Sequence, residues 1–258
     1  MSLRIFLHSL RQIFGNLGGV LQVSGVLMLV QFGMLLTFDR SLMMDEAAMR
    51  QMMMQGQMPW GRFVLAILVA LVTAILWLWL VVGWHRYILL NERPKLVPEF
   101  RADRMLGYFG KSFLIGLILL PLALILGFVV GGVASGLVHG GDNPFPALIV
   151  MAVLVYVPLA TIGTRLATML PGAALELGVP VFSGWEATRG ATVTILGVVA
   201  LSVLFAVILE FIGAQLFTNP TSIPALVYDL VKQWIVAMVG VSILTTLYGH
   251  YVEQRPLV

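Results

Sequence analysis

The sequence predicts an all-α integral membrane protein with six transmembrane helices, and three observations carry that expectation. Of 258 residues, 60% are hydrophobic and only 10% charged, whereas an ordinary soluble domain has about 25% charged residues. The apolar residues gather into six runs, at about 17–37, 63–84, 112–137, 146–168, 191–217 and 224–249. Each is long enough to cross about 30 Å of hydrocarbon as a helix, the open-chain structure that satisfies its own backbone there. The connections between the runs also alternate in charge, one set rich in Lys and Arg and the other poor.

The elements follow in order. Residues 1–16, "MSLRIFLHSLRQIFGN", are charged along their length and carry no small-residue cleavage site, so they read as a retained interfacial helix rather than a signal peptide. The first span is followed by a Met-rich outer interfacial segment, 38–60, and then by the second span. A basic stretch from Arg86 to Lys111 leads into the third, and Pro121 and Pro158 lie inside the third and fourth spans, where they are expected to kink the helices. The whole chain, 1–258, forms one domain.

Arg4, Arg11, Arg86, Arg93, Lys95, Arg101, Arg104, Lys111, Arg165, Arg189 and Arg255 fall on one side of this layout, and Arg40, Arg50, Arg62 and Lys232 on the other. The positive-inside rule makes the richer side cytoplasmic, which places both termini in the cytoplasm. Before each odd-numbered span lies an amphipathic stretch, "LRIFLHSLRQIFGNLGG", "PEFRADRMLGYFGKSF" or "VFSGWEATRGATVT", in which Arg11, Arg104 and Arg189 hold similar places. This layout reads as three hairpins, each introduced by a short interfacial helix. The alternative is that all inner boundaries look alike because the same charge and aromatic-belt rules shape them.

Candidate sites are few. Gly127, Gly131 and Ser135 have small-xxx-small spacing, with Gly132 and Gly136 in a parallel row. Such a row is a helix-packing face, either within the bundle or toward another membrane protein. Glu210 stands inside the fifth span, where Lys232 on the sixth is its expected partner; a buried structural ion pair and a proton or cation relay are the two readings. Asp229, one helical turn before Lys232, is placed to share that ammonium.

Met49, Met52 and Met53 present thioethers at i, i+3, i+4 spacing, a candidate Cu(I) site by ligand softness, set against a Met-rich surface that meets lipid or a partner. His8, His85 and His250 are expected at the inner surface and His139 in an outer loop, positions that suit interfacial roles better than haem ligation. Arg86, Arg93, Lys95, Arg101, Arg104 and Lys111 are expected to contact lipid headgroups, anionic phospholipid included, while Glu92, Glu99 and Asp103 offset part of their charge.

Catalytic patterns are missing from the sequence. There is no cysteine, no P-loop, no G-x-G-x-x-G after a strand, no H-E-x-x-H and no G-x-S-x-G. Nucleic-acid binding is disfavoured by the shortness and partial neutralisation of the basic loop. No cofactor is expected.

Two stretches, "WHRYILLNERP" (84–94) and "RLATMLPGAALELGVPVFSGWEATRG" (165–190), resemble those of a group of uncharacterised proteobacterial six-span inner-membrane proteins. That group is similar to YciC-type proteins and to the membrane domain of glycerophosphoryl diester phosphodiesterases. Trp84, His85, Arg86, Arg165, Pro171, Trp185, Glu186, Thr188, Arg189 and Gly190 carry the resemblance, although "GWEATRG" departs from the group's "EAW..TRG". The phosphodiesterase barrel has no counterpart here, so the resemblance implies a membrane module without hydrolase activity.

These readings favour a non-enzymatic accessory or assembly subunit that associates laterally with a larger membrane complex. The alternative is a transporter or lipid-handling permease using the kinked helices and Glu210.

Overall fold

The computed structural model describes residues 1–34, 37, 54, 60–93, 95–139, 150–175, 179–219 and 222–257, and the secondary structure among them is helical. The Cu(I) candidates Met49, Met52 and Met53, and the rest of 38–60 save Met54 and Trp60, lie outside the described residues. The helices are α1 (Ser2–Phe14), α2 (Leu17–Met34), α3 (Trp60–Leu90), α4 (Ala102–His139), α5 (Val157–Ala167), α6 (Leu170–Leu175), α7 (Ser183–Ala187), α8 (Thr192–Leu216) and α9 (Ile223–Tyr251). A π-helical turn, Ala152–Tyr156, leads into α5. Six segments are long and apolar enough to cross a bilayer: α2, α3, Ala102–Val133 of α4, Val153–Leu175, α8 and α9. The chain is a multi-pass membrane protein.

Several boundaries differ from those read off the apolar runs, each for a packing reason. The second span continues past residue 84 to Leu90, because Trp84, His85, Arg86 and Leu89 are buried among neighbouring helices rather than spread on a surface. Asn91 then closes α3 in the left-handed conformation, φ 52°, which asparagine tolerates at a helix C-terminus. The third span begins at Ala102, so most of the stretch expected as a separate interfacial helix is continuous with α4. Met105 and Tyr108 hold it there, buried in one cluster with Val82, Leu166 and Met169.

The N-terminal segment is only partly interfacial. One face of α1 buries Ile5, Phe6, Ser9 and Ile13 against α8 and α9, while Leu3, Leu7 and Phe14 remain exposed. In the fourth span the π-helical turn immediately precedes Pro158, whose ring cannot sit over a normally wound preceding turn and whose nitrogen cannot donate. α4, by contrast, runs through Pro121 without a break in its helical assignment.

Among the described residues, burial is concentrated at one end of the bundle. α2 lies against α3, α4 against α5, and α8 against both α5 and α9. Two apolar clusters fill the end that holds both chain termini and most of the cations. One joins Ile5, Ile13, Val20, Leu80, Trp84, Ile195, Met238 and Leu247, and the other joins Val82, Met105, Tyr108, Ile115, Leu166 and Met169. Away from this end burial thins out: in α8 the buried residues are Ile195, Val198 and Val199, all in its first turns. An apolar side chain directed at lipid loses nothing by leaving the core, so only specific packing or hydrogen bonding draws membrane helices together.

The closest backbone approach is at the short helix α7. A Cβ on Gly184 would lie 2.7 Å from the Met169 nitrogen and 2.8 Å and 2.9 Å from the Arg165 and Leu166 carbonyl oxygens. Nothing larger than glycine lets α7 dock on the α5–α6 corner. Gly184→Ala is therefore expected to destabilise the folded protein by about 1–3 kcal/mol. Gly107→Ala, whose Cβ would meet nothing within 4 Å, is the control. Thermal melting of both variants in detergent checks this, and equal midpoints would refute it.

Candidate functional site

The residues singled out in the sequence fall into three places, and the first is a polar layer inside the buried end. Arg165, on α5, is buried and directs its guanidinium into the segment leading to α8. Its Nε donates to Thr188 Oγ1 at 3.2 Å, Nη1 to Thr192 Oγ1 at 3.1 Å and Nη2 to the Trp185 carbonyl at 3.1 Å. The guanidinium carbon also lies 3.6 Å from the centre of the Trp185 ring, a cation–π contact. Thr188 Oγ1 donates in turn to the Gly184 carbonyl at 2.8 Å, which leaves its lone pairs to accept from Arg165. One side chain thus ties α5 to α7 and to the start of α8.

Arg86 makes the corresponding tie on the other side. Its Nε donates to Glu92 Oε2 at 3.2 Å, its Nη2 pairs with Glu92 Oε1, and its Nη1 donates to the Ala174 carbonyl at 3.3 Å. Arg86, one of the candidate headgroup residues, is largely buried, and a bidentate carboxylate and an orphan carbonyl of α6 satisfy donors of its guanidinium. The other candidate headgroup residues sit nearer the surface. Arg101 pairs with Glu99 at 2.7 Å, and Arg104 lies 3.2 Å from Asp103.

His85 is fully buried between α4 and α9, not at the inner surface. Thr245 Oγ1 donates to the Val241 carbonyl at 2.9 Å, so across its 2.8 Å contact with His85 Nδ1 it accepts, and Nδ1 carries the imidazole proton. Nε2 then faces the Tyr108 hydroxyl at 3.5 Å, with the two rings stacked. Nearby, Ser242 donates to Gln12 Oε1 at 2.7 Å, and the Ser9 and Thr246 hydroxyls are 3.0 Å apart, which stitches α1 onto α9. Sequence reasoning passed over this set, although Ser242, Thr245 and Thr246 at i, i+3, i+4 on one helix face were its signal. Among the described residues no group of three His, Asp or Glu side chains is arranged to hold a metal ion.

The second place is away from that end. Lys232 Nζ lies 2.6 Å from Glu210 Oε2 and 2.7 Å from Asp229 Oδ1, linking α8 to α9. The Lys232 side chain is 13% exposed but that of Glu210 is 72% exposed, so Glu210 reaches in from the bundle surface and is not buried. One ammonium is thus shared between two carboxylates, which take two of its three donors.

The third place is the glycine row on α4. A Cβ at Gly127, Gly131 or Gly132 would meet no atom within 4 Å outside its own helix turn, and neighbouring Phe128 is 86% exposed. Ser135 is exposed as well, its hydroxyl donating to the Gly132 carbonyl at 2.8 Å; the surroundings of Gly136 lie outside the described residues. The row faces away from the rest of the described chain.

No family model, curated protein or solved structure matches this chain. The sites are therefore interpreted from their own geometry, and the polar layer reads as a clamp. Its side chains bond one another and the backbone in a closed set. Arg165→Lys would lose the fork geometry and the stacking while keeping the charge, and is expected to cost about 3 kcal/mol of stability. Arg189→Lys, at an exposed position, is expected to be near neutral. Chemical denaturation in mixed micelles measures both, and equal stability of the two variants would exclude the clamp.

Proposed function

We propose that this is a non-enzymatic inner-membrane protein that acts as an accessory or assembly subunit, associating laterally with a larger membrane complex. The observation that carries this reading is the unpartnered glycine row: Gly127, Gly131 and Gly132 expose backbone on the longest helix with no neighbour within the described chain. In lipid, such a row lets a second helix approach closely enough for dispersion and Cα–H contacts to drive association. Burial of that face by a partner helix gains packing that lipid tails, which cannot follow the backbone contour, do not supply. The concentration of cations at the buried end supports cytoplasmic termini by the positive-inside rule.

A permease reading has one feature in its favour, a cleft of about 630 Å³ among α4, α5, α8 and α9. Its wall is apolar except for Tyr156, Thr164 and Ser202, and Glu210 is not part of it. That lining suits an acyl chain better than a hydrated solute.

Purification in mild detergent tests the proposal. The wild type is expected to migrate as a complex, and Gly127→Leu together with Gly131→Leu to release it as a monomer of unchanged melting temperature. A wild type that always migrates alone would overturn the association reading. Solute flux across vesicles that disappears in Glu210→Gln would replace it with the permease.

A further inference from the structure

The described residues of the connection between α3 and α4 fold back against α3. Trp79 Nε1 donates to the Pro98 carbonyl at 3.0 Å, the Trp79 and Phe100 rings meet edge to face at 5.0 Å, and Pro98 lies against Gly83. Gly83 and Trp79 precede the last residue of α3 by seven and eleven positions, so the segment folds back along the helix by about 10–16 Å. Leu96, Val97 and Phe100 are exposed on its outer side. Exposed apolar side chains on a loop held against a spanning helix are placed among lipid, at the depth where headgroups give way to acyl chains.

Beneath the loop is a hollow of about 220 Å³. Val23, Gly83 and Pro98 form its apolar wall, and Arg86, Arg93, Lys95 and Arg101 are the cations that line it. Two carboxylates also reach it, but each has a partner: Glu92 holds Arg86, and Glu99 holds Arg101. Arg93 and Lys95 have no acidic partner among the described residues. Cations without a counter-ion at a membrane surface attract anionic headgroups.

We propose that this hollow binds the headgroup phosphate of an anionic phospholipid. Arg93, Lys95 and Arg101 donate to the phosphate oxygens, and Leu96, Val97 and Phe100 lie among the acyl chains of the same leaflet. The volume is below the roughly 300–1,000 Å³ of pockets that enclose whole small molecules, which suits a headgroup fragment whose tails stay in the bilayer. Four lining cations against two carboxylates leave an excess of positive charge that favours an anionic headgroup over a zwitterionic one. This site is separate from the glycine row and does not depend on the association reading.

The full-length protein in dodecyl maltoside, titrated with phosphatidylglycerol or phosphatidylcholine and read by native mass spectrometry, provides the test. Phosphatidylglycerol is expected to bind the wild type more tightly than phosphatidylcholine. Arg93→Gln with Lys95→Gln is expected to weaken that binding about thirtyfold, and Lys95→Gln alone about fivefold. The single variant keeps the test decisive if the double variant melts early. Arg4→Gln with Arg11→Gln, cations of α1 at the same end, is expected to change it less than about twofold. Equal binding of the two lipids, unchanged affinity in the loop variants, or an equal loss in the α1 variant would overturn the site. Displacement of the lipid by inorganic phosphate at matching concentration would overturn the lipid as its source.

Discussion

A buried guanidinium group must have its donors satisfied, and that requirement organises the buried end of this protein. Arg165 and Arg86 are both largely buried: Arg165 bonds Trp185 of α7, Thr188 after it and Thr192 of α8, and Arg86 bonds Glu92 and the Ala174 carbonyl of α6. Leaving either unpaired would cost several kcal/mol. The short helices α6 and α7 exist where they do because those acceptors have to be presented: Trp185 and Thr188 to one arginine, Ala174 to the other. Gly184 permits the backbone contact that places them, and the serine and threonine bonds between α1 and α9 continue the same logic across the bundle.

Among the described residues, burial thins out away from that end. Away from the polar layer the helices carry side chains that lipid solvates as well as protein does, so nothing obliges them to converge. The charged group there, Glu210 with Lys232 and Asp229, is a local link between two neighbouring helices and recruits no others. A Cβ on the glycines of α4 would meet no neighbour among the described residues.

The six spans were legible because their signal is compositional: twenty or so apolar residues, repeated, admit one interpretation. The ends of those spans were less legible. The residues from Trp84 to Leu90 look like a surface boundary in sequence, with two aromatic and two basic side chains, yet they form a largely buried helix end whose partners lie along the chain at Tyr108, Ala174 and Thr245. Arg86 and Arg93 are seven residues apart and chemically identical. Both line the same hollow, but Arg86 is held by Glu92 and a carbonyl while Arg93 has no acidic partner among the described residues, a difference created by chain folding and not by local sequence.

The fold class, the number of crossings and the gathering of cations at one end were determined by the sequence alone, since each depends on hydropathy and charge summed over short windows. Tertiary structure decided which cations are buried and which are exposed, which histidine is sealed, and that a Cβ on the glycines of α4 would meet no neighbour among the described residues. Those outcomes depend on acceptors supplied by residues distant in the chain. No local pattern of residue types encodes which of them will meet.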